Sequence, residues 1–472
     1  MRIYITLVAV ATLVIGLTLF VFLADRQPVE QNAADSGIQS MVLKNGMKVI
    51  VQENRRAPVL VTQIWYKVGG SYEYDGITGV SHVLEHMMFK GTSEVPEGKF
   101  SEIIAAHGGK ENAFTSKDYT AYFQRISNDH LELCLSLEAD RMQNLQLSDE
   151  AFLKEIEVIK EERRLRTDDQ PTALTYERFH ALAFNNNPYR QPIIGWMEDL
   201  ETMEISDLRE WYNRWYAPNN ATLVVVGDVR AKEVFSLAKE YFGSLKPADI
   251  AELKPRKEAS QYGIQRVQVK VPARVPFLVM GYKVPVLKTA ENADDVYALE
   301  LLSGLLDGGN SSRFSANLVR GSQIATSVNA SYNIYALHDS LFTLAAIPAN
   351  GTSIDALEAA IVEQITAIQN QLPTEDELAR VKAQVVASSV YEQDSSFYQA
   401  MKIGILETIG LGWQARDEYV DRINAVTAQQ VQDVARKYFV ENHLTVAELI
   451  PQSTATGLPA GDSLSQGASD AH

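Results

Sequence analysis

The sequence has one cysteine, few histidines and no excess of basic residues, and each shortage excludes a class of protein. The single cysteine among 472 residues, Cys134, rules out an internal disulfide, and its apolar helical surroundings predict a core position. The formal net charge is -17, with 43 Lys and Arg against 60 Asp and Glu, and no basic stripe is visible. A nucleic-acid partner is therefore not expected. With only 8 histidines in the chain, two that stand close together are informative.

The N-terminus contains an uncharged apolar run, Ile3 to Ala24, of about the twenty residues that span a bilayer. Phe22-Leu23-Ala24 makes a poor signal-peptidase site, because the large Phe22 stands where a small residue is expected. We therefore expect residues 1–24 to be an uncleaved signal anchor rather than a removed signal peptide, followed by a polar tether over 25–39. Either form exports the body of the protein, so we expect it at the bacterial inner membrane, facing the periplasm, or free in the periplasm if the segment is cleaved.

The rest of the chain is too long for one compact core, and its pattern predicts an α+β fold that is repeated once. Ile64-Trp65-Tyr66-Lys67-Val68 has an echo in Met280-Gly281-Tyr282-Lys283-Val284. A Pro-containing stretch of mixed charge predicts a linker. The expected parts are a half-domain over 40–245, a linker over 246–263, a second half-domain over 264–451 and a disordered tail over 452–472. Each half would hold a mixed or antiparallel sheet flanked by helices.

The first half carries His82-Val83-Leu84-Glu85-His86. On a helix this spacing places both imidazoles on one face, one turn apart, with Glu85 beside them. Two neutral imidazoles can share a tetrahedral Zn²⁺ with a third protein ligand and a water, and a carboxylate can accept the proton of that water. The apolar neighbours predict that this helix is buried, where a metal would satisfy the imidazoles.

The best source of a third ligand is the helix-forming run from Phe152 to Arg166. Taken alone, a run this rich in charge is most often a solvated helix face. Taken with the two histidines, one acid becomes a candidate ligand and another a candidate orienting group. Spacing alone does not choose among four candidates, Glu155, Glu157, Glu161 and Glu162.

These motifs resemble those of the pitrilysin/insulinase family of zinc metallopeptidases, and most closely the small bacterial members similar to the mitochondrial processing peptidase. The resemblance extends from about Val42 to Pro451. The matching stretches are His82–Thr92, Asn112–Tyr122, Glu155–Glu162, Asn187-Pro188-Tyr189 with Ile194-Gly195, and Tyr216–Thr222 with Gly227-Asp228.

The resemblance implies roles for particular residues. It implies that His82, His86 and Glu162 bind one Zn²⁺ per chain, that Glu85 is the catalytic base, and that Glu155 is a supporting acid at the catalytic site. It also implies that Asn112, Ala113 and Phe114 bind substrate, the first two by pairing with the main chain of an extended peptide. The two halves would then form one half of a clam-shell chamber.

The second half departs from the family pattern. Ser303 and Gly304 stand where the acid and the second histidine of the motif would be, so no zinc is expected there. Members that grip substrate with this half carry an Arg followed seven residues later by a Tyr, but Val319 and Thr326 occupy those positions and Arg320 is one step out. We therefore expect a heterodimer, in which a related zinc-less chain supplies the Arg/Tyr pair.

The function that the sequence predicts is a zinc-dependent endopeptidase that hydrolyses peptides or unfolded polypeptides. Two alternatives keep the fold without the chemistry: a noncatalytic membrane-tethered assembly subunit and a peptide-binding subunit with an incidental metal. Intact His82, Glu85, His86 and Glu162 favour the peptidase.

Overall fold

The computed structural model describes residues 37–250, 253–254 and 256–453, which form eleven strands and fourteen α-helices. The strands are β1 Ile38–Val42, β2 Lys48–Glu53, β3 Val59–Tyr66, β4 Lys110–Thr115, β5 Thr120–Ser127, β6 Ala221–Gly227, β7 Gln265–Pro272, β8 Phe277–Val284, β9 Ala325–Ser331, β10 Ser340–Pro348 and β11 Leu444–Gln452. The helices are α1 Val80–Met87, α2 Lys99–Ala106, α3 Leu131–Asn144, α4 Asp149–Arg163, α5 Pro171–Ala183, α6 Met197–Thr202, α7 Ile205–Trp215, α8 Ala231–Phe242, α9 Ala293–Asp307, α10 Ile354–Asn370, α11 Glu375–Glu392, α12 Ser396–Thr408, α13 Tyr419–Ala425 and α14 Ala428–Tyr438. Short π-helical turns follow α4 at Arg164–Asp168 and α9 at Phe314–Gly321.

The described strands form two sheets that share one topology, apart from the additional strand β1 at the edge of the first sheet. The first has the order β1-β2-β6-β3-β5-β4, and the second has the order β7-β11-β8-β10-β9. Each sheet has one parallel pair, which is β2 with β6 in the first sheet and β7 with β11 in the second. From that pair toward β4 or β9, the neighbouring strands are antiparallel. The order β2-β6-β3-β5-β4 in the first sheet corresponds strand by strand to the order β7-β11-β8-β10-β9 in the second. The repeated α+β unit predicted from the sequence is therefore present.

The predicted echo between the halves occupies equivalent places. Tyr66 on β3 stacks on Tyr216 with ring centroids 4.2 Å apart, and Tyr282 on β8 stacks on Phe439 at 4.5 Å. Each stack joins the central antiparallel strand to the residue that ends a late helix, α7 or α14. Cys134 is fully buried in the core of the first half, as expected.

Each half contributes one helix that packs on the sheet of the other half. Helix α5 from the first half packs on β7, β8 and β11, whereas α12 from the second half packs on β3 and β6. In one direction Phe179 of α5 lies against Gly281, where a Cβ atom would come within 2.4 Å of the ring. In the other direction Trp65 of β3 lies against Gly404 of α12, where a Cβ would come within 1.9 Å. At the first interface the ring is on the helix and the glycine on the strand, and at the second interface the reverse is true. In both, the absence of a glycine side chain leaves a notch into which one bulky ring packs.

The structure describes the predicted linker in large part, but it describes little of the predicted segments at the two ends of the chain. Residues 1–24 and most of the predicted tether and tail lie outside the described residues. Within the described part, no helix combines the length and the apolar character needed to span a membrane. The described residues of the predicted linker contain neither helix nor strand. Glu258 nevertheless anchors this stretch, because it accepts hydrogen bonds from the backbone N–H groups of Asn185, Asn186 and Asn187 and pairs with Lys283 at 3.0 Å.

The glycine notch gives a stability prediction. Replacing Gly by Ala inside a helix ordinarily stabilises it by about 0.5–1 kcal/mol, but Gly404→Ala should lower the free energy of unfolding by about 1–3 kcal/mol because the new methyl group meets the Trp65 ring. Urea unfolding measures the change. Gly404→Ala combined with Trp65→Leu should lose less stability than the sum of the two single changes. A Gly404→Ala protein more stable than the wild type would contradict this packing.

Candidate metal centre

Helix α1 presents His82 and His86 toward the same point, and a buried carboxylate fixes where this helix begins. Gly79 precedes the helix with φ 88°, a conformation that glycine adopts without strain. Glu73, only 1% exposed, accepts hydrogen bonds from the backbone N–H groups of Gly79 at 2.7 Å and Ser81 at 2.9 Å. It thereby satisfies two N–H groups that a helix start leaves without partners. Burial raises the pKa of Glu73 to about 7, against the lowering effect of these bonds.

Helix α4 brings Glu162 to the same point from about seventy-five residues downstream. The α-helical hydrogen bonding ends at Arg163, one residue after this acid, and a π-helical turn follows. Such turns often occur at functional sites. Arg166 on the turn pairs with one oxygen of Glu162 at 2.9 Å, which leaves the other oxygen facing the imidazoles. The sequence had predicted a continuous helix to Arg166, and the π turn replaces its last part.

The three predicted ligands converge. One ligand atom from each of His82, His86 and Glu162 lies within 4.8 Å of the other two, and among the described residues these three form the one such group. Oε2 of Glu162 is 4.0 Å from Nε2 of His82 and 3.5 Å from Nε2 of His86. Ligands bonded to Zn²⁺ at about 2.0–2.1 Å in a tetrahedron lie roughly 3.4 Å apart, so the separations suit such an ion. Two imidazole nitrogens and a carboxylate oxygen are also a donor set that Zn²⁺ prefers.

Both imidazoles are prepared for binding a cation. Burial, followed by the neighbouring His86 and Arg166, lowers the pKa of His82 to about 3, so its ring is neutral near pH 7. Its Nδ1 atom is buried and has no hydrogen-bond partner among the described residues. His86 directs Nδ1 to Glu155 at 2.9 Å, which leaves Nε2 for the ion. A carboxylate behind a metal-binding histidine fixes its ring and tautomer in this way.

Glu155 lies behind His86 rather than at the point of convergence. Its second oxygen pairs with Lys90 at 2.6 Å. Although burial raises the pKa of Glu155, the hydrogen bonds from Lys90 and His86 outweigh that effect and lower it. The charged Glu155 therefore positions His86 and does not itself face a substrate.

Glu85 is held by a threonine from the neighbouring sheet. The Thr115 hydroxyl at the end of β4 donates a hydrogen bond of 2.5 Å to Oε2 of Glu85. Burial raises the pKa of Glu85, and the Thr115 bond opposes that rise. A carboxylate with a raised pKa beside the two converging imidazoles suits a group that accepts a proton and returns it.

The predicted substrate residues lie on an open strand edge. Asn112, Ala113 and Phe114 belong to β4, which pairs with β5 on one side only and forms the edge of the first sheet. The side-chain oxygen of Asn112 accepts a hydrogen bond from the Ala113 N–H at 2.9 Å. The Phe114 ring packs edge-on against Trp65 at 5.5 Å, so its side chain belongs to the sheet face that contacts α12. An open edge that ends at the Glu85 partner can receive an extended peptide beside the metal ligands.

Among the described residues, the second half has no group of side chains equivalent to His82, His86 and Glu162. Helix α9 carries Ser303 and Gly304 where α1 carries the acid and the second histidine, which places Glu300 at the position of the first histidine. A Cβ on Gly304 would come within 2.5 Å of Val381 on α11, so helix contact replaces the space for a metal. Glu300 accepts a hydrogen bond from Tyr419 at 2.5 Å, and burial raises its pKa to about 7.

The edge strand of the second sheet, β9, is also closed. By register, Ala330 on β9 stands where Ala113 stands on β4. The Ser303 hydroxyl donates to the Ala330 carbonyl at 3.3 Å, and Asp307 accepts from the Ala330 N–H at 3.2 Å. Side chains of α9 thus occupy backbone groups that a peptide would otherwise use.

Sequence reasoning missed three residues that organise the centre: Glu73, Lys90 and Thr115. Lys90 and Thr115 lie inside the stretches that match the family, and this position was a signal that either residue could contribute to the site. Nothing in the sequence near Glu73 indicates that it caps a helix that begins seven residues later.

Comparisons with known proteins place the chain in a family. Residues 48–196 match the family model described as Insulinase (Peptidase family M16), and residues 202–385 match the model described as Peptidase M16 inactive domain. The zinc protease PqqE of Helicobacter pylori is 34% identical over 362 residues, which are 76% of this chain and 80% of PqqE. The probable beta subunit of the mitochondrial-processing peptidase of Arabidopsis thaliana is 25% identical over 422 residues, with 87% of this chain and 77% of that protein covered.

A solved structure extends the likeness to three dimensions. The crystal structure of a protease from Helicobacter pylori has a TM-score of 0.83 and 31% identity, and the match covers 88% of this chain and 99% of that one. The half with the converging ligands matches the insulinase model, and the model named for an inactive domain covers α9, where Ser303 and Gly304 stand. The chain therefore belongs to the insulinase family of peptidases, family M16.

Proposed function

We propose that this chain is a zinc-dependent endopeptidase that hydrolyses peptides or unfolded polypeptides. The observation that carries the proposal is the convergence of His82, His86 and Glu162 beside Glu85, at one end of an open edge strand. We further propose that the body faces the bacterial periplasm from the inner membrane, on the strength of the apolar run at residues 3–24.

The chain's own residues supply binding, orientation and proton transfer. His82, His86 and Glu162 would hold Zn²⁺, which when bound polarises a peptide carbonyl and eases the ionisation of water. Glu85 accepts a proton from the attacking water and then delivers it to the leaving amine. Thr115 keeps Glu85 directed at the site, and the β4 backbone aligns the peptide.

A partner chain completes the proposal. Arg320, the arginine nearest the expected gripping position, donates to the backbone carbonyls of Asn310 and Ser315 within its own half. On β9, both backbone groups of Ala330 are already bonded to side chains of α9, which disfavours pairing with a peptide there. We propose that a related zinc-less subunit supplies the Arg/Tyr pair and the opposite wall of a chamber, as the name of the mitochondrial subunit suggests for a multi-subunit relative.

The first prediction separates metal binding from chemistry. His82→Ala should lose zinc and hydrolysis, whereas Glu85→Gln should keep about one zinc per chain and lose hydrolysis, since Glu85 is not a ligand in this arrangement. Metal content by mass spectrometry and cleavage of a quenched peptide measure the two effects. His107→Ala is the matched control, because His107 also lies beside a second histidine, with ring centroids 4.6 Å apart, but outside the centre. A Glu85→Gln protein that still turned over would remove the assigned base.

The second prediction concerns the pH dependence of activity. The Thr115 hydrogen bond lowers the pKa of Glu85, so Thr115→Val should raise that pKa by removing a hydrogen bond to the charged form. Glu85 must be ionised to accept a proton, so the acid limb of kcat/KM should move to higher pH. Thr115→Ser retains the hydroxyl and should keep the wild-type profile. An unshifted limb in Thr115→Val would show that the hydroxyl does not act on Glu85.

The third prediction tests the partner. The chain purified alone should bind zinc yet cleave peptides poorly, and a related zinc-less chain should restore activity by supplying donors to the developing oxyanion. Steady-state cleavage with and without the co-purified native partner measures this. Full activity from the homogeneous chain would refute the requirement for a partner.

A further inference from the structure

A cationic cavity of about 510 Å³ lies at the far end of β4 from the metal centre. It is open to solvent and is lined by the start of β3, the ends of β4 and β5 that lie beside it, and the residues that begin α12. Its charged lining residues are Arg56, Lys110, Arg125 and Asp394. Three cations against one acid are unexpected in a chain whose net charge is -17.

The charges in this cavity are not balanced. Arg56 pairs with Asp394 at 2.9 Å, whereas no described carboxylate pairs with Lys110 or Arg125. Lys110 and Arg125 stand directly opposite each other on β4 and β5, and like charges in that relation destabilise a sheet. An anion bound between them would relieve the repulsion.

Arg125 is held in place for such an anion. Its guanidinium carbon lies 3.6 Å from the ring centroid of Phe397, and that ring contacts Phe123 at 4.9 Å. Stacking on an aromatic ring leaves the edge of a guanidinium, with its N–H groups, available to a carboxylate.

The cavity and the edge that would receive a peptide share Lys110, the first residue of β4. Lys110 is five residues before Thr115, the partner of Glu85, on the same strand. At about 3.4 Å per residue this is roughly 17 Å, the length of five residues of an extended chain. A peptide added antiparallel to β4 would enter the cavity with the residues C-terminal to the cleaved bond.

We propose that this cavity binds a carboxylate of the substrate about five residues C-terminal to the cleaved bond, between Lys110 and Arg125. The inference rests on the proposed peptidase function and adds a preference for acidic peptides to it. The carboxylate belongs either to an Asp or Glu side chain or to the C-terminus of the peptide.

The test uses the zinc-loaded full chain with Glu85→Gln, so that binding is measured without turnover. A neutral fluorescent peptide is scanned with a single Glu moved along its length, with Gln at each position as the reference. Anisotropy should show a three- to tenfold lower Kd when Glu occupies one favoured position and not when it is one residue away, because neighbouring side chains of a strand face opposite ways. The gain should shrink as salt is raised.

Two comparisons locate the effect and its source. Lys110→Gln or Arg125→Gln should bring the Glu-to-Gln ratio of Kd values near one, whereas Lys239→Gln, an exposed cation on α8 outside the cavity, should leave the ratio unchanged. Peptides truncated at the favoured position, as the free acid or the amide, show whether a terminal carboxylate is accepted as well as a side chain. Lys110→Gln alone decides the matter if Arg125→Gln perturbs the fold.

The outcomes separate the two levels of the proposal. If the neutral peptide binds and the Glu scan is flat, the carboxylate site is wrong and the peptidase proposal stands. If the preference survives Lys110→Gln in a folded protein, the site lies elsewhere and the inference is equally refuted. If no peptide binds to the zinc-loaded chain with or without the native partner, both proposals fail.

Discussion

The candidate metal centre depends on the exchange of one helix between the two halves. At each of the two interfaces, an aromatic ring packs against a glycine. Helix α4 carries Glu162 and is joined through the π turn to α5, which is fixed on the second sheet by Phe179 against Gly281. The buried pair of Arg163 with Glu177, at 2.7 Å, links the two helices. The helix that carries Glu162 is thus packed in the core of the first half and joined to a helix that the second half holds.

The duplicated unit shows what a metal centre requires that a simple helix contact does not. In the second half, Gly304 allows α9 and α11 to meet directly through Val381. In the first half, His86 occupies that position, and its Nε2 lies 3.5 Å from Oε2 of Glu162 on the corresponding helix α4. Since imidazole and carboxylate are costly to bury without partners, the space has to be filled by polar groups that satisfy one another or share a cation.

Much of this could be predicted from the sequence, and the omissions have a common cause. The motif around His82 and His86 is local, because helical periodicity alone brings the two rings together. The choice of Glu162 required the family resemblance, since four acids on one helix satisfied the spacing argument. Glu73, and the contact of Trp65 with Gly404, could not be predicted, because each depends on where a distant segment lies after folding. Periodicity reports which face a residue takes but not which partner meets that face.

In the proposed peptidase, the edge of β4 recognises the backbone of the substrate, and Lys110 at the start of the strand recognises a carboxylate. Main-chain pairing at an open edge aligns a peptide with little regard to its sequence, so it cannot select among substrates. Selection then falls to side chains that the strand holds at a set distance from Glu85, and a strand is rigid enough to keep that distance. Lys110 meets this condition: it shares its strand with Thr115, and α12 places Phe397 against the arginine opposite it. Because the same α12 carries the glycine notch for Trp65, the exchange that joins the halves also builds one wall of the cationic cavity.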